Sequence, residues 1–574
     1  MTRTRFVMTA MAAALMAAIG AAATVVGQDQ TTAPADLVLR GGRIVTLDAR
    51  VPEAQALAAR NGAIVAMGSN AAMARFVGPS TQVIDLAGQT AIPGFIEGHA
   101  HFNGIGEGKL NLDLMNTTSW DEIVHMVAMA VEKAKPGQWI IGRGWHQEKW
   151  SSTPQPNVEG FPLHASLDKV SPNNPVILTH ASGHASFANA KALELSNVTG
   201  ATPNPNGGEI LKDKAGNPTG LLRETASGLI RRGAGEPRPT PEEAEARAIR
   251  ALELADQEVV SKGITSFQDA GSSFELVNRV KRMIDDGRMR VRLWFMIRGG
   301  NAQSLAANRV IGYGNNQLTV RAIKITADGA LGSRGAWLLE PYADKADSTG
   351  LATTPVSQIR TQAQVALDAG YQVCIHAIGD RANREVMNVY EETFKKNNRN
   401  GKELRWRIEH AQHINAADIP RFGQLGVIAS MQGIHCTSDA PWVEPRLGAQ
   451  RAEEGAYVWQ KLMQSGAVVT NGTDAPVEDV DPIASYYATV TRKAKDGKVF
   501  YGNQRMSRIE ALRSYTMANA FAAFEEDIKG SLSLGKLADI TVLTKDITSV
   551  PDEEILTAKV AYTIIGGKVA YKAQ

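Results

Sequence analysis

Cysteine is scarce in this chain of 574 residues, which contains only Cys374 and Cys436. Two cysteines cannot form the disulfide framework of a small secreted domain, so the hydrophobic core must stabilise the fold. Both lie in apolar, strand-like runs, and we predict two reduced, buried thiols. In an exported protein the two could instead pair with each other.

Long hydrophobic runs are also few. The Ala- and Met-rich run Phe6–Ile19 follows Arg3 and Arg5, and it is short for a transmembrane span. A basic start, an apolar run of this length and small residues after it are typical of a secretory signal peptide. We predict a signal peptide over residues 1–27, with cleavage after Ala23 or Gly27, and a secreted or periplasmic protein. An uncleaved membrane anchor is the alternative.

An excess of charge of one sign is missing once this signal is set aside. The chain has 61 Lys and Arg against 59 Asp and Glu, and two of the Arg lie in the predicted signal. A balanced charge does not favour nucleic acid as a partner. It also does not favour a membrane surface as a partner after the signal is cleaved. Hydrophobic residues make up 44% and charged residues 21%, which is an ordinary globular balance and excludes a disordered or fibrous protein.

The two ends of the mature chain have the same β-rich texture. Near the N-terminus, short alternating runs are separated by the turn signals Gly41-Gly42 and Asn61-Gly62, and the C-terminus has similar runs at Ala538–Leu543 and Tyr562–Ile565. We predict one small β-sandwich domain formed from both chain ends, residues 36–92 and 525–574. A separate β-domain at each end is the alternative.

The middle of the chain, residues 93–524, alternates strand-like and helix-like stretches, as parallel α/β folds do. Eight such units predict a TIM-type (β/α)8 barrel. We expect its strands to end near His101, Asp269, Ile297, Thr326, His376, His410, Gln432 and Asp474. The first connection, residues 102–260, is too long to lack its own structure. It predicts a large insertion after strand one that covers the active-site face as a lid.

The first chemical signal is the pair His99 and His101, which is weak alone but gains weight from its place at the end of the first strand. Residues two apart in a strand point to the same face, so both imidazoles can bind one metal inside the barrel. Lys324, buried in a predicted strand, is costly unless it is paired or modified.

Other strand ends carry further candidate ligands, namely His376, His410 and Asp474. His413 competes with His410, which we prefer because the strand pattern ends there. Each candidate alone could be a satisfied core residue, but six at one face of a barrel predict a metal site.

These residues lie in motifs that resemble the amidohydrolase superfamily, specifically the amidohydrolase-3, YtcJ-like group that includes N-substituted formamide deformylases. The motifs that carry the resemblance are Pro93–His101, Ser182–His184, Lys324–Gly329, Pro341-Tyr342, His376–Asn383, Arg407–Gln412, Gly472–Asp474, Tyr515-Thr516 and Gly530 to Asp539. Two positions depart from the group. Glu97 stands where Asp is usual, and Gln432-Gly433 stands where Gln-Pro is common.

The resemblance implies a barrel with one or two divalent metal ions, and Zn suits the ligands. His99, His101 and Asp474 would bind one ion, His376 and His410 would bind the other, and a Lys324 carbamate formed with carbon dioxide would bridge them. The implied reaction is hydrolysis of a carbon–nitrogen bond other than a peptide bond by metal-activated hydroxide, with Asp474 transferring the proton.

Three residues near the motifs are candidates for contacts with the substrate. His184, in the predicted lid, is a candidate oxyanion donor, and its alternative is a structural loop residue. Ser182 in the same motif and Arg334 after the fourth strand are candidate substrate-binding residues, and Arg334 could bind a substrate carboxylate.

Two other functions stay open at this stage. The same metal site could hydrolyse a lactone or another ester, because fold does not fix function. A non-catalytic binding protein on the same fold is the other alternative, which six intact ligand positions disfavour. The expected partner is a small amide-like molecule, and the sequence leaves a homo-oligomer open.

Overall fold

In the computed structural model, which describes residues 33–574 and the backbone of Val25–Val26, the centre of the chain is a barrel of eight parallel strands. We number these strands β1 to β8 in chain order. Their bounds are Phe95–Ala100, Ile264–Ser272, Arg292–Arg298, Leu318–Thr326, Gln372–Ala377, Arg407–His410, Ile428–Ser430 and Val469–Thr470. In the sheet, each of these strands pairs with the strand before it and the strand after it in this numbering, where there is one, so the predicted TIM-type barrel is confirmed.

Backbone hydrogen bonds join the two ends of this sheet just beyond β8. The N–H of Asp474 donates to the carbonyl of His99 at 2.7 Å, and the N–H of His101 donates to the carbonyl of Ala475 at 2.7 Å. The segment after β8 therefore lies beside the end of β1. This closure brings His99 and His101, at the end of β1, next to Asp474, which follows β8. All three are predicted metal ligands.

Helices surround the barrel and cover its outer face. Because side chains also fill the interior, all of β5 is buried, and Val373 and Ile375 belong to a large apolar core shared with these helices. From residue 241 onward the helices are Pro241–Ser261, Phe274–Asp285, Ala302–Asn308, Tyr313–Asn316, Val356–Asp368, Asp380–Lys396, Gly401–Leu404, Ile419–Leu425, Gly433–Leu447, Ala449–Gly455, Trp459–Gln464, Pro482–Thr491, Arg508–Ser514 and Met517–Ala522.

The segment between β1 and β2, which we call the insert (residues 102–260), contains a six-stranded sheet of its own. In sheet order its strands are Leu112–Asp113, Ile140–Trp145, Val176–His180, Ala185–Ala188, Pro218–Glu224 and Gly208–Lys212. Two further short strands, Asn157–Val158 and Phe161–Pro162, pair with each other. Besides the helix Pro241–Ser261 at its end, the insert contains the helices Phe102–Leu110, Trp120–Val131, Ala165–Val170 and Ala190–Leu195. A lid function for the insert stays a prediction.

Strands from both ends of the chain meet in one sheet. Its order is Lys568–Lys572, Val560–Ile565, Ile540–Leu543, Thr90–Pro93, Arg43–Val45 and Glu53–Ala54. A second sheet has the order Val25–Val26, Ala63–Gly68, Ala56–Arg60, Leu37–Arg40 and Gln82–Asp85. The helix Asn70–Met73 accompanies it. Leu39 of one sheet and Ile540 of the other share an apolar cluster. This packing is consistent with the predicted β-sandwich domain, whose bounds stay a prediction.

The two cysteines are buried and unpaired, as the sequence predicts. The predicted signal peptide lies outside the described residues except for Val25–Val26, whose backbone pairs with Met67 and Ala66. Within the described part of the chain, no helix is both long and apolar enough to cross a membrane.

Candidate active site

Titratable side chains collect at the carboxyl ends of the barrel strands, the face on which TIM barrels carry their active sites. His99 and Lys324 lie on β1 and β4, His376 and His410 end β5 and β6, and Asp474 follows β8. The structure therefore brings the sequence-predicted ligands to one face.

The tightest group in this cluster consists of His99, His410 and Asp474. One ligand atom from each lies within 4.8 Å of the others, and all three residues are buried. His101 adjoins the group, because its Nε2 is 3.2 Å from Oδ1 of Asp474. His410 thus lies close to the ligands from β1 and β8 as well as to His376, its expected partner.

The amine of Lys324 lies inside the same cluster. Its Nζ is 3.2 Å from Nε2 of His99, and burial lowers the pKa of Lys324 to about 8. A buried ammonium beside imidazoles is costly unless an anion or a chemical change compensates it.

His376 completes the cluster on the other side. Its ring centroid is 4.4 Å from that of His410, and its Nε2 is 3.4 Å from Oδ1 of Asp328. That Nε2 is buried and makes no hydrogen bond with any described residue. Asp328 accepts three backbone N–H groups at 2.8–2.9 Å and so ties the segment after β4 to the end of β5.

His410 reaches the site by an unusual backbone conformation. Along β6, strand alternation turns Arg407 and Glu409 into the barrel, which would turn His410 away from it. The φ of His410 is +74°, in the left-handed region, and this brings its ring back to the cluster. Gln432 Oε1 lies 2.8 Å from its Nδ1, which leaves Nε2 for the site.

His413, the competing candidate, lies elsewhere. Its ring packs against Tyr457 with centroids 5.6 Å apart, and neither ring nitrogen makes a hydrogen bond with a described residue. The structure therefore favours His410 as the ligand.

Replacing His410 by Asn should lower metal content much more than replacing His413 by Asn. The reason is that only His410 lies in the tight group. Metal content of the two purified variants, measured beside their thermal stability, checks this. Equal metal loss, or loss only in the His413 variant, would reverse the assignment.

Glu409, which was not among the candidate site residues predicted from the sequence, is the buried hydrogen-bond partner of His99. Its Oε2 hydrogen-bonds with Nδ1 of His99, and its Oε1 is 2.7 Å from Nε of Arg407. Burial alone would raise the pKa of Glu409, but Arg407 and His99 hold that pKa well below its usual range. A carboxylate on Nδ1 directs Nε2 of the ring to the site, as carboxylates behind metal-binding histidines do. The available signal in the sequence was the alternation of two charged residues, Arg407 and Glu409, in a predicted strand.

Glu97, one of the two departures from the group pattern, ties β1 to the segment before Asp474. Its Oε1 accepts the N–H groups of Thr473 at 2.8 Å and His99 at 3.2 Å, and its Oε2 accepts the Thr473 hydroxyl at 3.0 Å. Burial raises the pKa of Glu97 to about 8. The side chain thus connects two ligand-bearing segments.

The second departure, Gly433, also has a structural account. Its N–H donates to Oδ1 of Asn471 at 2.8 Å, a hydrogen bond that proline could not donate. A Cβ there would lie 2.0 Å from Oγ1 of Thr489, so the packing favours glycine.

A cavity opens above the cluster, and both the barrel and the insert line it. Its walls include His146, His180, Ser182, Leu331, His435 and Trp442. Nδ1 of His184, another lining residue, is 2.7 Å from Oε2 of Glu224, and its ring centroid is 4.9 Å from that of His376. Ser182 Oγ accepts the His184 N–H at 3.2 Å. The catalytic role of His184 and the binding role of Ser182 stay predictions.

Arg334 is engaged outside this lining. Its Nη2 is 2.9 Å from Oδ2 of Asp344, to which Arg446 is also bonded. This ion pair does not favour Arg334 as a ligand of a substrate carboxylate. Lys149, unlike Arg334, lines the cavity, and it has no ion-pair partner in the described part of the chain.

The donor set fits a divalent transition metal. Imidazole nitrogens and a carboxylate suit Zn, Mn, Fe or Co. A metal would also satisfy the buried Nε2 of His376, which otherwise makes no hydrogen bond to the residues described.

Comparison with known proteins finds relatives that match nearly the whole chain. The family model described as Amidohydrolase family matches residues 82–571. Protein LONG AFTER FAR-RED 3 of Arabidopsis thaliana is 33% identical over 94% of this chain and 92% of its own length. The protein YtcJ of Bacillus subtilis is 29% identical over 93% of this chain and 99% of its own length, and N-substituted formamide deformylase of Arthrobacter pascens is 26% identical over 94% and 98%.

A solved structure shows the same fold. A metal-dependent hydrolase from Pyrococcus furiosus aligns with a TM-score of 0.67 and 26% sequence identity, and the alignment covers 89% of this chain and all of that one.

Proposed function

The chain belongs to the amidohydrolase family, and on this premise we propose that it hydrolyses carbon–nitrogen bonds other than peptide bonds, in an amide, formamide or cyclic amide. The family and its structural relative make it a metal-dependent hydrolase. The observation that carries the proposal is the buried group of His99, His410 and Asp474 beneath a cavity at the barrel mouth. The relative named as a formamide deformylase supports the bond class.

The ligands that we propose for the metal are those that the resemblance of the motifs implies. His99, His101 and Asp474 would hold one divalent ion, His376 and His410 would hold a second, and Lys324 as a carbamate would supply an anionic ligand. Zn is the metal we favour. When bound, such a metal lowers the pKa of water towards 7 and polarises the carbonyl of the substrate.

The protein supplies proton transfer and orientation. Asp474 lies 3.2 Å from His101 and 3.5 Å from His99, so its carboxylate is held where it can accept the proton of the attacking water. It then passes this proton to the leaving nitrogen, which departs as a neutral amine. His184, above His376, contacts the substrate oxygen from the side of the insert.

A matched panel of substrates tests the bond class. Metal-loaded protein is incubated with N-formyl and N-acyl amines, cyclic amides, and the ester or lactone counterpart of each, with the His99→Asn variant as the blank. We expect release of amine from the amides that depends on His99. Hydrolysis of the esters alone would support the lactonase or esterase alternative, and no turnover by metal-loaded protein would support a binding protein.

We also propose that the protein is exported and loses its N-terminus. Arg3, the apolar run Phe6–Ile19 and the small residues after it support this. The exported protein should begin between about residues 24 and 30. N-terminal sequencing of protein from the periplasm or medium checks this, and an intact Met1 there would contradict it.

A further inference from the structure

We propose that Glu224, in the insert, is a positioning residue that fixes the imidazole of His184 so that its Nε2 faces the substrate. This inference rests on the proposed function, because it gives His184 its place in the reaction.

Two hydrogen bonds join these residues. The N–H of Glu224 donates to the carbonyl of His184 at 2.8 Å, and Oε2 of Glu224 is 2.7 Å from Nδ1 of the imidazole. The adjoining residues Ala185 and Arg223 pair in an antiparallel ladder. A carboxylate can only accept, so Nδ1 carries the proton.

The other ring nitrogen of His184 is left for the cavity. Nε2 has no hydrogen bond to any residue in the described part of the chain, and the side chain lines the cavity next to His376. A fixed Nδ1–H therefore decides which ring atom meets the substrate.

Glu224 occupies its position at a cost to stability. Its φ is +51° and its ψ is −126°, a conformation that is strained for a residue with a Cβ. Its side chain is only 3% exposed, and its Oε1 is buried without a hydrogen-bond partner among the residues described. A residue that served packing alone would need neither the strain nor the unpaired oxygen.

The barrel is shaped to receive this carboxylate. A Cβ on Gly329 would lie 2.0 Å from Oε1 of Glu224, and a Cβ on Gly335 would lie 2.3 Å from it. Both glycines belong to the segment after β4, so the barrel leaves space for a side chain of the insert. Glu224 thus joins the insert to the barrel at the point where His184 meets the cluster.

The first experiment needs no substrate. Long-range 1H–15N spectra of protein labelled with 15N-histidine report which ring nitrogen is protonated, and loss of a signal in His184→Gln assigns His184. We expect Nδ1 to be protonated in the wild type. Glu224→Ala should lose this preference, while Glu224→Gln, which keeps an acceptor oxygen, should retain most of it. A wild-type His184 protonated only on Nε2 would overturn the proposal.

The second experiment measures kinetics on whichever amide the substrate panel identifies. Glu224→Ala should lower kcat by about 10- to 100-fold, as loss of an orienting carboxylate does, with little change in KM or metal content. Glu224→Gln should recover part of the rate. The double variant with His184→Gln should be no slower than His184→Gln alone, because the two residues act as one unit.

A matched control is available within the insert. Asp168 Oδ2 is 2.6 Å from Nδ1 of His164, a similar pair whose residues do not line the cavity. Asp168→Ala should leave kcat unchanged. Equal losses for Asp168→Ala and Glu224→Ala, or additive losses in the double variant, would show that Glu224 is only structural. If no amide is hydrolysed the proposed function fails, and the spectra still test the pair.

Discussion

The variant Asp474→Asn should fold, keep bound metal and lose about 10²- to 10⁴-fold in kcat. Asn has nearly the same shape as Asp and still offers an oxygen to the cluster, but it cannot accept a proton from water or pass one to a leaving nitrogen. The position is buried next to His99, His101 and His410, so no solvent group can readily replace the carboxylate. Steady-state kinetics with metal analysis of the same sample make the test.

A buried aspartate elsewhere provides the control for this loss. Asp256 accepts the N–H groups of Arg290 and Val291 at 3.0 and 2.9 Å, away from the barrel mouth. Asp256→Asn should lower thermal stability and leave kcat unchanged. If Asp474→Asn keeps near-normal activity with metal bound, Asp474 is not the proton carrier.

Removing the side chain of Lys324 should abolish activity and release one metal ion. An unmodified, charged lysine at 3.2 Å from Nε2 of His99 would repel metal ions in the cluster. Carboxylation would replace the positive charge by an anionic ligand, which bound cations would stabilise. Lys324→Ala takes this ligand away, and acetate or propionate should partly restore activity by filling the gap. Metal stoichiometry and activity with and without the added acid measure both effects.

Lys529 is the matched control for Lys324. It is equally buried, at 5% exposure, and bonds to Ser266 outside the cluster. Lys529→Ala should lower stability without removing metal. Well-resolved density for a bare Lys324 amine that points away from an occupied site would contradict the bridged two-metal arrangement. A single ion held by His99, His101 and Asp474 would then be the site to retain.

The barrel and the faces of its strands were predictable because they depend on local patterns. Apolar runs followed by polar residues located the ends of all eight strands to within a few residues. The spacing of His99 and His101 put both at the mouth, since alternation in a strand is a short-range property. The same reasoning located Lys324 on β4.

The remaining geometry depends on backbone conformations and distant pairs that local patterns do not encode. His410 and Asp474 have φ values of +74° and +58°, so each departs from strand alternation just where it carries a ligand atom. The partner of His99 is Glu409, which is 310 residues away along the chain. Arg334 was a candidate by position, but only the structure shows its ion pair with Asp344.

Metal content, measured together with metal-dependent turnover, tests the central claim most directly. Protein purified without added metal should contain one or two equivalents of a divalent transition metal per chain. A chelator should remove this metal and all hydrolysis of the amide substrate, and the metal alone should restore the hydrolysis. Full activity in protein shown to be free of metal would contradict the account.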